Sequence, residues 1–167
     1  MRGAHVDINE RRQVIERLHA FPDQLAILVD GLTTEQLTTA YEPGEWTVAQ
    51  NVHHVFDAHV IFYTRCKQIA FEDAPPLVNM DENGWAELPD AKAASLTPAL
   101  AGIAYVQGRL VAFLEHLTEA EWQRAGVHAE RGAMTIATIA AYAARHGELH
   151  LAQIRKTLTA GSIVRGA

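Results

Sequence analysis

Four stretches of this chain repeat apolar residues every third and fourth position, and none alternates apolar with polar residues as a half-buried strand would. That period follows one face of an α-helix, so the chain has four apolar helical stripes, each of roughly 20–25 residues, to bury against one another. In the first stretch Val14, Leu18, Phe21, Leu25, Leu28 and Leu32 mark the face of a helix predicted from Asp7 to Asp30, with Asp7 as N-cap and Glu10 as its capping-box partner. Pro22 lies inside the pattern, but the periodicity continues on the same face beyond it. A kink rather than a stop is therefore expected, and Gly31 closes the segment. Thr47 with Gln50 forms a second capping box and opens a helix running to about Ala70, with Val48, Val52, Val55, Phe62, Cys66 and Ile69 in line. Thr97 reads as an N-cap followed by Pro98 at the first helical position, opening a third helix that runs to about Leu117 and carries Ile103, Leu110 and Leu114. Gly102 and Gly108 lower its intrinsic propensity, so packing has to hold it. Thr135 caps the last helix, whose stripe is Ile136, Ile139, Ala143, His146, His150 and Ile154 and which stops at Gly161. The expected architecture is an all-α four-helix bundle, one domain over residues 1–167.

The connections are shorter helical turns and loops. Residues 33–37 read as a short turn of helix, 41–45 as a loop, and Thr118 with Glu121 caps another turn before a hairpin-like or irregular connection from Gly126 to Gly132. Phe71 to Leu96 is too rich in Pro, Gly, Asn and Asp for one regular element. A loop of that length is uncommon in a compact domain unless it is functional or partly helical, so it is expected to cover one end of the bundle. Composition narrows the function classes. A formal charge of −6 with no Lys/Arg run longer than two lacks the basic footprint of a nucleic-acid binder. No apolar run approaches the ~20 residues of a membrane span, and the first residues lack the apolar core of a signal peptide, so the expected partners exclude membranes and the expected location is cytoplasmic. The single cysteine, Cys66, can make no internal disulfide and no Cys-based zinc knuckle, so any metal must be held by His and carboxylate.

His146 and His150 supply the strongest sign of chemistry. Four residues apart on a helix, they place their Cβ atoms roughly 5–6 Å from each other on one face, close enough to chelate one ion. His54, near the start of the second long helix, offers a third imidazole from a facing element, leaving an open position for water or substrate. The plain alternative is that the pair pads a helix surface or is satisfied inside the core. Burying neutral imidazoles without partners costs ~1–3 kcal/mol each, however, so something has to satisfy them. His53, about 100° away on the same helix, is expected at the rim. His59 lies on the core line, where a satisfied core histidine competes with a role beside the ligands or the substrate. Asp57, three residues after His54, is a candidate to accept an imidazole N–H or to bind substrate. Glu148 is two residues after His146 and faces away, which disfavours the His-Glu-x-x-His protease arrangement. A di-iron bundle needs Glu-x-x-His on two helices with two further inward glutamates, and the chain does not supply that set.

The run Trp46-Thr-Val-Ala-Gln-Asn-Val-His-His-Val-Phe-Asp-Ala-His59, the following Tyr63-Thr-Arg65, the Asp81–Asp90 stretch and the closing His146-Gly-Glu-Leu-His-Leu-Ala-Gln-Ile154 resemble the YfiT branch of the DinB-like superfamily. The likeness spans about Arg11 to Ile154. The superfamily pattern of a helix-borne His, an Asp three residues on and a later His-x-x-x-His falls on His54 with Asp57 and on His146 with His150. The resemblance implies an up-down-down-up bundle, a homodimer, and a divalent ion, zinc or nickel, held by three histidines. It also implies either metal-dependent hydrolysis or transfer of a low-molecular-weight thiol such as bacillithiol or mycothiol. The leading expectation is an enzyme that activates such a thiol for transfer to a small electrophile, with Asp57 or His59 orienting the ligand. Hydrolysis with water as nucleophile is the first alternative. A non-catalytic metal-binding or dimerising module, its ion closed by a fourth protein ligand, is the second.

Overall fold

The computed structural model describes residues 8–163. Its long helices are α1 (Ile8–Val29), α3 (Val48–Phe71), α5 (Thr97–Glu115) and α7 (Ile136–Ala160), with short helices α2 (Thr34–Thr38), α4 (Glu82–Ala86) and α6 (Glu119–Trp122) in the connections. The expected cap at Asp7 falls outside the described residues. α1 runs unbroken through Pro22, and Val14, Leu18, Phe21, Leu25 and Leu28 are buried on either side of it. Beyond its end Gly31 takes φ +66°, a left-handed conformation that costs glycine little. Thr33 with Gln36, Thr47 with Gln50 and Thr118 with Glu121 form reciprocal capping boxes, so the shortest helices are fixed by the same local chemistry as a long one.

One cap is corrected. Leu96, already helical at φ −85° and ψ −15°, precedes α5, and Thr97 is inside the helix with no side-chain cap bond. Leu100 N–H reaches Leu96 O at 2.9 Å, so the first turn closes one residue earlier than the Thr-Pro pair suggests. Pro98 sits in that turn, where its missing N–H costs nothing.

The order of the bundle follows from which halves of the helices share a core. One apolar cluster combines the first half of α1 (Val14, Leu18), the second halves of α3 (Phe62, Ile69) and α5 (Leu110, Leu114), and the first half of α7 (Ile136, Ile139). The other combines the opposite halves, with Leu25, Val52, Ile103 and Ile154. α1 and α7 therefore run one way and α3 and α5 the other, the expected up-down-down-up arrangement. α1 and α3 each pack against both α5 and α7, so those two helices stand between them. Because α3 and α5 are parallel neighbours, the chain must travel back along the bundle between them, and a 24-residue helix is about 36 Å long. Residues 72–96 make that return, which accounts for the loop's length.

One detail modifies the all-helical expectation and another the expectation that no stretch is apolar enough to span a membrane. β1 (Ala125–His128) and β2 (Gly132–Thr135) form an antiparallel hairpin in the stretch read as hairpin-like, and the returning loop joins its edge through a Pro76–Val127 bridge. α5 is also long and apolar enough, by length and composition, to cross a membrane. In the bundle its Ile103, Leu110 and Leu114 are core residues, and at Gly102 the Phe56 ring occupies the space a Cβ would need.

Candidate metal centre

Between the two apolar clusters α7 turns His146 and His150 inward and the second turn of α3 brings His54 against them. One ring nitrogen from each lies within 4.8 Å of the other two, and all three side chains are buried. His54 Nε2 and His146 Nε2 are 3.1 Å apart. A tetrahedral ion with nitrogen ligands at ~2.0–2.1 Å would hold two of them about 3.3 Å apart, so the donor set fits a metal with little movement. The third nitrogen is aimed by the first turn of α3. Asn51 Nδ2 donates to Thr47 O at 2.9 Å, which turns its Oδ1 toward His150 Nδ1–H, also at 2.9 Å. His150 is thereby held in the tautomer whose Nε2 presents a lone pair to the centre.

Burial keeps these rings neutral. It pushes His54 down to about 4. Burial and then the neighbouring His54 and His59 push His150 down to about 3. His146 falls to about 2, through burial first and then His150, His59 and His54. All three rings are therefore in the neutral form that can bind a cation, and His54 and His146 share one proton between their Nε2 atoms.

Two openings meet at this point. One, of about 520 Å³, lies directly over the imidazoles and is bordered by Trp46, His54, Tyr142, His146 and His150. The other, of about 370 Å³, runs from His146 and Tyr142 along α3 past Phe62 to Arg65 and His128. Trp46 packs its ring 4.8 Å from His54 and nearly parallel to His150 at 6.2 Å. Tyr142, one turn before His146, lies 6.0 Å from it.

The remaining candidates separate clearly. His59 is fully buried, stacked on Phe21 at 5.2 Å and 5.7 Å from His146, and borders neither opening. Neither of its nitrogens has a hydrogen-bond partner. Burial pushes its pKa down to about 4; the Gln107 side chain pulls the other way, yet no bond of good geometry joins the two. Asp57 is half-buried beside Asp90 and His53, away from both openings. Burial and then the Asp90 carboxylate raise its pKa, while His53 lowers it. His53, expected at the rim, instead ties the returning loop to α3 by donating from Nε2 to Ala93 O at 3.0 Å. Glu148 faces away as expected, paired with Arg17 at 2.5 Å.

Sequence reasoning did not reach Trp46 and Tyr142 as site walls, nor Arg65, His128 and Glu82. Tyr142 had a readable signal, the four-residue step to His146. Asn51 had one too, three residues before His54. His128 lies in an irregular connection where no periodicity points.

Comparison with known proteins agrees with this fold. The sequence profile of the DinB superfamily matches residues 17–154. A protein of Geobacillus thermodenitrificans, named as a candidate metal-dependent hydrolase, is 36% identical over 144 residues, covering 86% of this chain and 81% of its own length. The Bacillus subtilis protein YfiT, named in the same way, is 34% identical over 141 residues, covering 84% of this chain and 79% of its own. The solved structure of YfiT, described as a four-helix bundle of unusual topology, superposes with a TM-score of 0.92 and 29% identity, covering 98% of this chain and 94% of that one.

Proposed function

The chain belongs to the DinB superfamily, and on that premise we propose that it is a metal-dependent enzyme that activates a low-molecular-weight thiol for transfer to a small electrophile. The observation that carries this reading is the convergence of three neutral imidazole nitrogens under an opening. A divalent ion such as zinc or nickel held by three uncharged ligands keeps its full positive charge and lowers the pKa of a thiol or water sharing its open position.

The rest is the work of the chain's own residues. His54, His146 and His150 supply the lone pairs, and Asn51 fixes the orientation of His150. Trp46 and Tyr142 wall the site with aromatic surface. The bundle offers no nucleophile of its own here. Cys66 is buried in the core and its thiol is pushed up to about 12 by burial. A thiol must therefore come from outside, and two adjoining openings provide room for two reactants. A free thiol near pKa about 8.5 needs only a small shift to ionise at neutral pH, whereas bulk water at about 15.7 needs a large one. Among the described residues no carboxylate belongs to the cluster of the three imidazoles, although Glu45 and Glu82 border the opening above them. A cytoplasmic setting rich in small thiols and a homodimeric assembly belong to the same reading.

Hydrolysis is the second reading, favoured by the names of the relatives. Metal-loaded protein, a panel of biological thiols and a chromogenic electrophile distinguish the two. Conjugation above background, lost in His150→Ala, supports thiol transfer. Ester turnover in thiol-free buffer with no conjugation by any thiol supports hydrolysis instead.

A further inference from the structure

At the far end of the 370 Å³ opening, whose rim carries Asp81, Glu82 and Glu130, buried N–H donors compete for one imidazole lone pair. Arg65 is only 7% exposed and His128 only 4%. The Arg65 guanidinium gives two N–H groups to Val78 O, at 2.8 and 2.5 Å, and turns Nη2 toward His128 Nε2 at 3.2 Å. His128 Nδ1, however, already receives the backbone N–H of Glu130 at 3.2 Å. A neutral imidazole has one lone pair, so two N–H donors compete for it. When Nδ1 accepts, Nε2 carries the proton and faces another donor. Burial first and then Arg65 lower the His128 pKa, consistent with the neutral ring.

The charge balance is uneven in the same place. Among the described residues no carboxylate forms an ion pair with Arg65 or with Arg131, which borders the same opening with its guanidinium 5.1 Å from the Tyr142 ring. A mostly buried arginine without a counter-charge is costly unless something supplies one. The acidic residues at the mouth are exposed and two are engaged: Asp81 caps Gly84 N–H and Glu130 accepts from Asn79. The depth of the opening is rich in donors and its rim is acidic.

The geometry points to an anion subsite in which Arg65 and His128, with Arg131 at the mouth, bind a carboxylate of the substrate whose reacting end lies at the three histidines. Planar guanidinium and imidazole donors match a planar carboxylate better than a tetrahedral oxyanion. Arg65 lies about one helical turn, ~4.5 Å along the axis, beyond Phe62, and the Phe62 ring meets His146 at 5.3 Å. A small organic acid or an acid-bearing thiol can span that interval. This subsite names the substrate class of the reaction proposed above and rests on that reading for its purpose, though not for its existence.

The test uses the full chain without metal at low ionic strength, with succinate, inorganic phosphate and the neutral succinamide as probes. Binding is followed by calorimetry and by the His128 imidazole resonances. Succinate is expected to bind saturably and shift those resonances, phosphate to bind more weakly, and succinamide not at all. Arg65→Lys, which loses the fork, should weaken succinate about tenfold or more, and the exposed Arg131→Gln about threefold, as charge-assisted bonds are lost. If Arg65→Lys melts early through loss of the Val78 tether, Arg131→Gln and His128→Phe decide. His54→Ala, which removes a candidate metal ligand, should still bind succinate, so failure of the metal chemistry and failure of the subsite read differently. No saturable succinate binding, equal binding of succinamide, tighter binding of phosphate, or variants that bind like the original chain would overturn the assignment.

Discussion

At His54, His146 and His150 the protein gathers neutral imidazole nitrogens, whereas further along α3, at Arg65 and His128, it gathers N–H groups that compete for one imidazole lone pair. Both places are buried, and both open onto cavities that meet at His146. The contrast shows how the groups gathered beside an opening state the charge of what they could hold: lone pairs suit a cation and N–H groups an anion. His59 is the control inside the same layer. It is as buried as the others and also unpartnered, but it borders neither opening, so its bare nitrogens recruit nothing.

The largest effect expected is at the ligands. His54→Ala or His146→Ala should lower divalent-ion affinity by more than about a hundredfold, beyond the 10–100-fold typical of residues that only orient a ligand. Competition with a chromophoric chelator measures it, and an affinity left intact would move the ion elsewhere. Asn51→Ala should cost about 10–100-fold by releasing the His150 tautomer. An unchanged value would mean that Asn51 orients nothing.

Gly147 links the site to the frame. A Cβ there would lie 2.7 Å from Phe21 Cδ2, between the two ligands of α7. Gly147→Ala is expected to destabilise the fold by about 1–3 kcal/mol in denaturant unfolding, because the ring is also held against His59 and has little room to yield. His59→Phe should sharpen the contrast from the opposite side. With no hydrogen bond to lose, stability should hold or rise by up to about 1 kcal/mol, and ion affinity should stay within about threefold. A large loss of affinity would show that His59 serves the centre after all.

The smallest effect is a null reaction. With its pKa pushed up to about 12 by burial, Cys66 stays a protonated thiol at pH 8. It should resist a thiol reagent in the native protein and react at once in denaturant. Rapid native modification would mean that the α3 core opens.

The bundle and its cluster of buried histidines were legible because both are periodic. Capping boxes at Thr47 and Thr118 bracket helices locally, and the four-residue step from His146 to His150 survives any detail of packing. The third histidine of the cluster was readable because His54 shares an edge of α3 with Asn51 and Ala58, all three buried in the fold. Asp57 was singled out by its spacing to His54, but three residues turn about 300°, and the returning loop with Asp90 meets it on the outside of the bundle. The anion subsite was not legible. It joins Arg65 on a helix to His128 in a hairpin, segments far apart in sequence that the Pro76–Val127 bridge helps bring together. Arg124 adds to that pairing by donating to Ile69 O and Glu72 O at the end of α3, and such long-range contacts leave no period in the chain.

X-ray absorption on the zinc-loaded full chain tests the central claim most directly. The expected shell is three imidazole nitrogens at about 2.0–2.1 Å plus one exchangeable oxygen, with sulfur replacing that oxygen when a thiol is added. Fewer than three imidazoles, a fourth permanent protein ligand, or no zinc retained at all would contradict it.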